Sequence, residues 1–109
     1  MSILKISKLG HPILLEKCQP VNDIKGSETK KIIHDMTETM LDAKGIGLAA
    51  PQVHINKQII IFRIPEEEIE GEIKITALIN PKIIKISDKT VNEWEGCLSI
   101  PGMLGLVKR

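Results

Sequence analysis

One stretch of the chain carries apolar residues at helical spacing. Ser27 precedes it as a candidate N-cap, Lys44 closes it with a cation suited to a helix C-terminus, and Gly45 follows as the candidate left-handed residue. The apolar positions that share one face are Ile32, Ile33, Met36, Met40 and Leu41. The pattern therefore predicts one long helix from Ser27 to about Lys44, with Met36 and Met40 in the core.

Later runs rich in β-branched residues predict strands. Gln58–Ile64 and Ile73–Asn80 are each followed by proline, and the acidic segment Glu66–Glu72 between them predicts a solvated hairpin loop. Lys82–Ile86 and Lys89–Trp94 predict a further hairpin around the Ser-Asp pair at 87–88. With a length of 109 residues, these elements predict a single domain over residues 1–109.

Composition narrows the class of protein. The chain is 42% hydrophobic and 27% charged with a net charge of +1, as is typical of a globular protein. Its twenty isoleucines stand against one Trp and one Phe, which favours sheet and leaves few aromatic platforms for stacking bases. A nucleic-acid partner is therefore not expected.

Targeting signals and cysteine usage indicate the compartment. Lys5 and Lys8 interrupt the apolar N-terminus, so it does not resemble a secretory signal, and no segment approaches the length of a membrane span. We therefore predict a cytoplasmic protein without a membrane partner. Cys18 and Cys97 are then expected to be reduced thiols, with a disulfide between them as the minor alternative.

A glycine-rich stretch, Gly45–Gln52, follows the predicted helix. Gly45, Gly47 and Ala50 have the G-x-G-x-x-A spacing of dinucleotide sites, but that fingerprint must follow a strand and open a helix, so the context excludes it. What remains is a tight loop that lets backbone approach a ligand closely. It ends in Gln52, whose amide can donate to a carbonyl oxygen. A simple helix stop is the alternative.

A second stretch, Glu95–Ser99, reads Glu-Gly-Cys-Leu-Ser and follows a run with β character. Gly96 permits a bend or a close ligand approach, and it places Cys97 at a strand end. A fixed, partly open thiol suits a metal ligand or a nucleophile, whereas a lone cysteine is more often a small buried hydrophobe.

Taken together, the two stretches closely resemble the GxGLAAxQ and EGCLS motifs of peptide deformylases. These enzymes are metal-dependent hydrolases that remove the N-formyl group from nascent polypeptides beginning with formylmethionine. The resemblance implies an α+β fold of mostly antiparallel strands around a C-terminal helix that bears a third motif, HExxH. It also implies a formylated nascent peptide as partner, met at the ribosome, and Fe(II) or Zn(II) as cofactor.

The resemblance also implies roles for individual residues. Cys97 is the thiolate metal ligand, while Gln52 and the backbone N–H of Leu98 bind the formyl oxygen. Gly45, Ile46 and Gly47 line the pocket for the methionine side chain and pair with the substrate backbone. Glu95 has a structural role, paired with Arg109.

The third motif is not found. His11, His34 and His54 are followed four residues later by Leu, Glu and Gln, so none begins an HExxH. We therefore expect a C-terminally truncated deformylase fold that lacks the metal-binding helix, exposes apolar strand surface and is inactive alone. We also expect it to hold no catalytic metal tightly.

Two alternatives remain open. The chain is a non-catalytic peptide-binding or assembly module derived from the same fold, or it is a hydrolase whose nucleophile is Cys97. The second alternative requires His11, His34 or His54 within hydrogen-bond reach of the thiol.

Overall fold

A computed structural model describes residues 3–109, so the first two residues of the predicted domain lie outside it. Helix α1 spans Ser27–Asp42, and no helix within the described range is long and apolar enough to cross a membrane. The strands are β1 Gly47–Ala49, β2 Ile59–Phe62, β3 Thr76–Ile79, β4 Asn92–Cys97 and β5 Ile100–Lys108. Short 3₁₀ turns cover Pro12–Leu15, Ala50–Val53 and Pro65–Glu67. One helix with antiparallel strands confirms the predicted α+β class.

The core lies between α1 and a three-stranded antiparallel sheet with the order β1-β2-β3. Met36 and Met40 of α1 are fully buried, which confirms their prediction as core residues. They pack with apolar side chains from the sheet and its connections, chiefly Leu48, Ile59 and Ile61. β1 pairs with the central strand β2 through only three residues, and the middle pair is Leu48 with Ile61.

Both ends of α1 differ from the prediction. The N-cap is Gly26 instead of Ser27, since its carbonyl accepts the first helical bond from Lys30 N–H at 3.1 Å. The side chain of Asp23 lies where a Cβ on residue 26 would stand. At the other end Lys44 takes the left-handed conformation, with φ 57°, and Gly45 does not. Gly45 N–H donates to Met40 O at 2.9 Å and Lys44 N–H to Leu41 O at 3.1 Å, the bonds of a Schellman motif. Glycine at position 45 therefore needs another explanation.

The predicted hairpin between Lys82–Ile86 and Lys89–Trp94 is wrong. β4 pairs instead with β5 across the two-residue turn at 98–99, and Val91 and Arg109 extend the ladder with bonds of 2.6 and 2.8 Å. A tight turn aligns these strands at little entropic cost, whereas Lys82–Ile86 forms no strand. Its isoleucines at 83, 84 and 86 are 76%, 90% and 76% exposed.

The acidic connection between β2 and β3 is a hairpin loop, as predicted, but it is not solvated throughout. It opens with the 3₁₀ turn Pro65–Glu67, and the carboxylate of Glu68 then turns inward onto Arg63 at 2.8 Å. Burial of Glu68 is tolerated because the guanidinium supplies the opposite charge.

Candidate active site

The two sequence motifs meet at a groove of about 760 Å³ between the segment after α1 and the β4–β5 hairpin. Its walls are residues 44–47, Gln52, residues 96–98 and residues 100–104. All six candidates for substrate or metal contact therefore line one groove: Gly45, Ile46, Gly47, Gln52, Cys97 and Leu98. Glu95 and Arg109 are not among the lining residues.

Gln52 projects from the 3₁₀ turn that follows β1. Its Oε1 accepts from the backbone N–H of Ala49 at 2.9 Å, which fixes the orientation of the amide and turns Nε2 toward the second motif. Nε2 donates to Ser99 Oγ at 3.1 Å and lies 3.5 Å from Cys97 Sγ. The glutamine and the thiol therefore face a common point, although their roles there remain predictions.

Cys97 is the last residue of β4 and an exposed free thiol; Cys18, half-buried, is also free. The ladder shifts at this point, since Gly96 pairs with Leu104 but Cys97 pairs with Ile100. Residues 101–103 consequently bulge out of β5, with Gly102 at φ 77°, and form part of the groove. Such irregularities bend a strand and redirect its side chains, which here leaves the sulfur accessible.

Gly45 leaves space that the side chain of Leu98 fills. A Cβ at this position would lie 2.8 Å from Leu98 Cδ1 and 3.5 Å from Met40 Cγ, so the missing side chain admits Leu98 against the end of α1. Gly47 has no such constraint, because a Cβ there would come no closer than 3.7 Å to Ile61 O. The side chain of Leu98, from the second motif, therefore packs against Gly45 of the first motif.

The N-terminal arm, residues 3–9, holds both motifs from behind. Ser7 N–H donates to Gln52 O at 2.6 Å, and its Oγ donates to Pro51 O at 2.8 Å. Leu9 N–H donates to Ser99 O at 2.9 Å. Sequence reasoning missed Ser7, which is only 2% exposed, because a serine in an apolar run carries no signal of a distant backbone partner.

Glu95 and Arg109 form a bidentate ion pair, with N–O distances of 2.7 and 2.6 Å. The hydrogen bond from the guanidinium holds the pKa of Glu95 below its ordinary value, and the same contact raises the pKa of Arg109. The pair ties β4 to the residue after β5.

The histidines do not join Cys97 at the groove. His34 Nε2 lies 3.2 Å from Glu38 Oε1 on α1, and the rings of His11 and His54 meet edge to face at 4.6 Å. Within residues 3–109 no three His, Cys, Asp or Glu side chains are grouped to hold a metal ion. Cys97 is one thiolate donor where a hydrolytic metal needs about three protein ligands, so the described residues do not fit the implied ion.

Known sequences that match this chain belong to the family whose motifs it resembles. The profile of the family described as polypeptide deformylase matches residues 3–109. The chain is 46% identical over 109 residues to a peptide deformylase from Halothermothrix orenii and 39% identical over 113 residues to peptide deformylase 1 from Nitrosomonas europaea. These matches cover 100% and 98% of this chain but 66% and 62% of the relatives, so it spans less than two thirds of their length.

Solved structures agree with the sequence matches. A class I type b peptide deformylase from Acinetobacter baumannii superposes with a TM-score of 0.89 at 35% identity, covering 100% of this chain and 71% of that one. A probable peptide deformylase from Synechococcus phage S-SSM7 gives 0.88 at 39% identity, covering 97% and 70%. Because sequence and fold agree over nearly its whole length, the chain belongs to the peptide deformylase family.

Proposed function

We propose that this chain supplies the substrate-binding and thiolate part of a peptide deformylase, an amidohydrolase that removes the formyl group from formylmethionyl peptides. Hydrolysis adds water across the formyl C–N bond and releases formate and a free α-amine. The observation that carries the proposal is the approach of Gln52 Nε2 to Cys97 Sγ, at 3.5 Å, inside the groove.

Gln52 is suited to bind the formyl oxygen. Its Oε1 is already held by Ala49 N–H, so the amide cannot turn its acceptor toward the substrate without losing that bond. A donor fixed in advance stabilises the negative charge that develops on a carbonyl oxygen during hydrolysis. The backbone N–H of Leu98, in the neighbouring turn, is the proposed second donor.

The wall opposite the β4–β5 hairpin is suited to bind the peptide. Gly47 starts β1, an edge strand that pairs with β2 on one side only, and Ile46 is 59% exposed in the groove. An extended peptide can therefore add along this edge through main-chain hydrogen bonds. One related structure from A. baumannii is described as bound to Met-Ala-Ser, a peptide of the class expected here.

Metal chemistry is the part that the described residues do not complete. Fe(II) or Zn(II), if held by a full ligand set that included Cys97, would supply acidified water for hydrolysis. Cys97 is the ligand that this chain offers. Further donors must come from beyond the described residues, so deformylation by this chain alone is not expected.

Complementation tests the proposal. The chain is mixed with the part of the H. orenii deformylase that it does not cover, loaded with Zn(II), and formate release from formyl-Met-Ala-Ser is measured. We expect Cys97→Ala to abolish release and Gln52→Leu to lower kcat about 100-fold. Gln19→Leu, an exposed glutamine outside the groove, is the matched control and should change nothing.

A second function is favoured by one observation, namely that the groove is formed while a single predicted metal ligand lies in it. The chain would then be a peptide-binding module without catalysis. Anisotropy of a dye-labelled formyl-Met-Ala-Ser separates the two: binding without formate release in the complemented mixture favours the module. If neither the complemented mixture nor the chain alone binds the labelled peptide, both proposed functions are overturned.

A further inference from the structure

An ion pair between Arg63 and Glu68, outside the groove, contacts the wall of the groove. Arg63, just after β2, has its guanidinium 2.8 Å from Glu68 Oε1, and the two side chains are only 20% and 16% exposed. The same guanidinium donates from Nε to Gly45 O at 3.2 Å, and the backbone N–H of Arg63 donates to Ile46 O at 2.9 Å. One residue therefore binds two successive carbonyls of the groove wall.

These two carbonyls lie where the sheet gives the wall no other support. β1 begins at Gly47, so residues 45 and 46 precede its ladder with β2. The carbonyls of Gly45 and Ile46 are instead bound from behind by Arg63. A further bond that holds this connection between α1 and β1 runs from Gly45 N–H to Met40 O at 2.9 Å, which leaves both carbonyls to Arg63.

Glu68 gives the arginine its fixed position. An arginine side chain has large rotamer freedom, and just beyond the end of β2 it gains little by ordering itself for one weak bond. A half-buried carboxylate at 2.8 Å supplies a charge-assisted bond that holds the guanidinium plane, with Nε directed at Gly45 O. Among the five glutamates at 66–72, Glu68 is the one that forms an ion pair within the described chain.

We propose that Arg63 is a positioning residue for the peptide-binding wall and that Glu68 holds it in place, so that the acidic loop controls peptide affinity. This inference rests on the proposed function, because it assumes that the wall binds peptide. The simpler reading is that the ion pair only closes the β2–β3 loop. In that case its loss would loosen residues 65–75 and leave the groove unchanged.

A matched pair of variants separates these readings. Glu68→Ala removes the carboxylate that binds Arg63, and Glu66→Ala removes an exposed carboxylate from the same loop with the same change of charge. Glu68→Gln keeps an acceptor without the charge. For each chain we would measure far-UV thermal unfolding, hydrogen exchange of segment 44–49 by mass spectrometry, and anisotropy of labelled formyl-Met-Ala-Ser.

We expect Glu68→Ala to raise amide exchange in segment 44–49 about tenfold and to weaken peptide binding about fivefold, since roughly one hydrogen bond to the wall is lost. Glu68→Gln should fall between Glu68→Ala and the wild type. Glu66→Ala should match the wild type. Exchange in the α1 segment 27–42 should stay constant in all variants, which shows that the effect is local.

Three results would contradict the inference. If Glu68→Ala alters exchange only in residues 65–75 and binds peptide like Glu66→Ala, the ion pair serves the loop alone while the proposed function stands. If Glu68→Ala fails to fold, the Glu68→Gln variant provides the test. The inference is then overturned if Glu68→Gln has the same amide exchange in segment 44–49 and the same peptide affinity as the wild type. If the wild-type chain binds no peptide at all, the proposed function fails and the inference fails with it.

Discussion

The contact between Gly45 and Leu98 predicts that alanine at position 45 separates the two motifs. The added Cβ would stand 2.8 Å from Leu98 Cδ1 and 3.4 Å from its Cγ, so Leu98 must leave its place or the backbone must shift. Because Gly45 does not have a positive φ, alanine suffers no backbone strain there. Any loss of stability is therefore a packing effect.

The magnitude follows from opposing terms. Overpacking of this kind costs about 1–3 kcal/mol, and removing a glycine from the unfolded chain returns about 0.4–1 kcal/mol. We expect Gly45→Ala to destabilise the fold by about 1–2 kcal/mol. Leu98→Ala, which deletes a half-buried side chain, should also cost about 1–2 kcal/mol. Once Leu98 is truncated, however, the added methyl has room, so the double variant should be no less stable than Leu98→Ala alone.

Urea unfolding followed by circular dichroism gives the three free energies of this cycle, and Gly47→Ala is the control. A Cβ at 47 meets only ordinary contacts, the nearest at 3.7 Å, so this variant should be no less stable than the wild type. The reasoning is refuted if Gly45→Ala behaves like Gly47→Ala. It is equally refuted if the Gly45 and Leu98 substitutions add to within about 0.5 kcal/mol, which would show that the two sites do not interact.

Two further predictions concern the scaffold. The lowered pKa of Glu95 means that its pair with Arg109 stabilises the fold above the ordinary glutamate value of 4.5, and that this stabilisation is lost as the pH falls through the lowered pKa. Glu95→Gln should therefore flatten the acid side of a Tm-against-pH curve, and parallel curves would contradict this. Asn80 binds both backbone groups of Val21, at 2.8 and 2.9 Å, from a left-handed conformation with φ 52°. Asn80→Ala should lower the free energy of unfolding in urea by about 2–4 kcal/mol, and Asn80→Gly should lower it by less. An Asn80→Ala variant as stable as the wild type would refute a stabilising role of the two bonds to Val21.

The sequence was most informative where local spacing decides structure. Helical spacing predicted α1 and the burial of Met36 and Met40, and the two motifs indicated residues that line one groove. It misplaced the helix ends because Asp23 packs against Gly26 and because Lys44 takes the left-handed conformation in place of Gly45, and neither feature is visible in spacing. The strand prediction for Lys82–Ile86 failed because an apolar pattern does not show which partner is available.

The site depends on contacts that no motif contains. β4 and β5 pair with each other and form a separate sheet from β1-β2-β3, so the position of Cys97 relative to Gln52 is set by the turn at 98–99. That turn is held by three contacts: Leu98 against Gly45, Ser99 Oγ with Gln52, and Ser99 O with Leu9 of the N-terminal arm. Because Ser7 binds the backbone of Gln52 itself, the arm joins both halves of the site. Loss of the arm should therefore remove one of the three contacts on the turn and the bonds that hold Pro51 and Gln52, which would loosen the approach of Gln52 to Cys97.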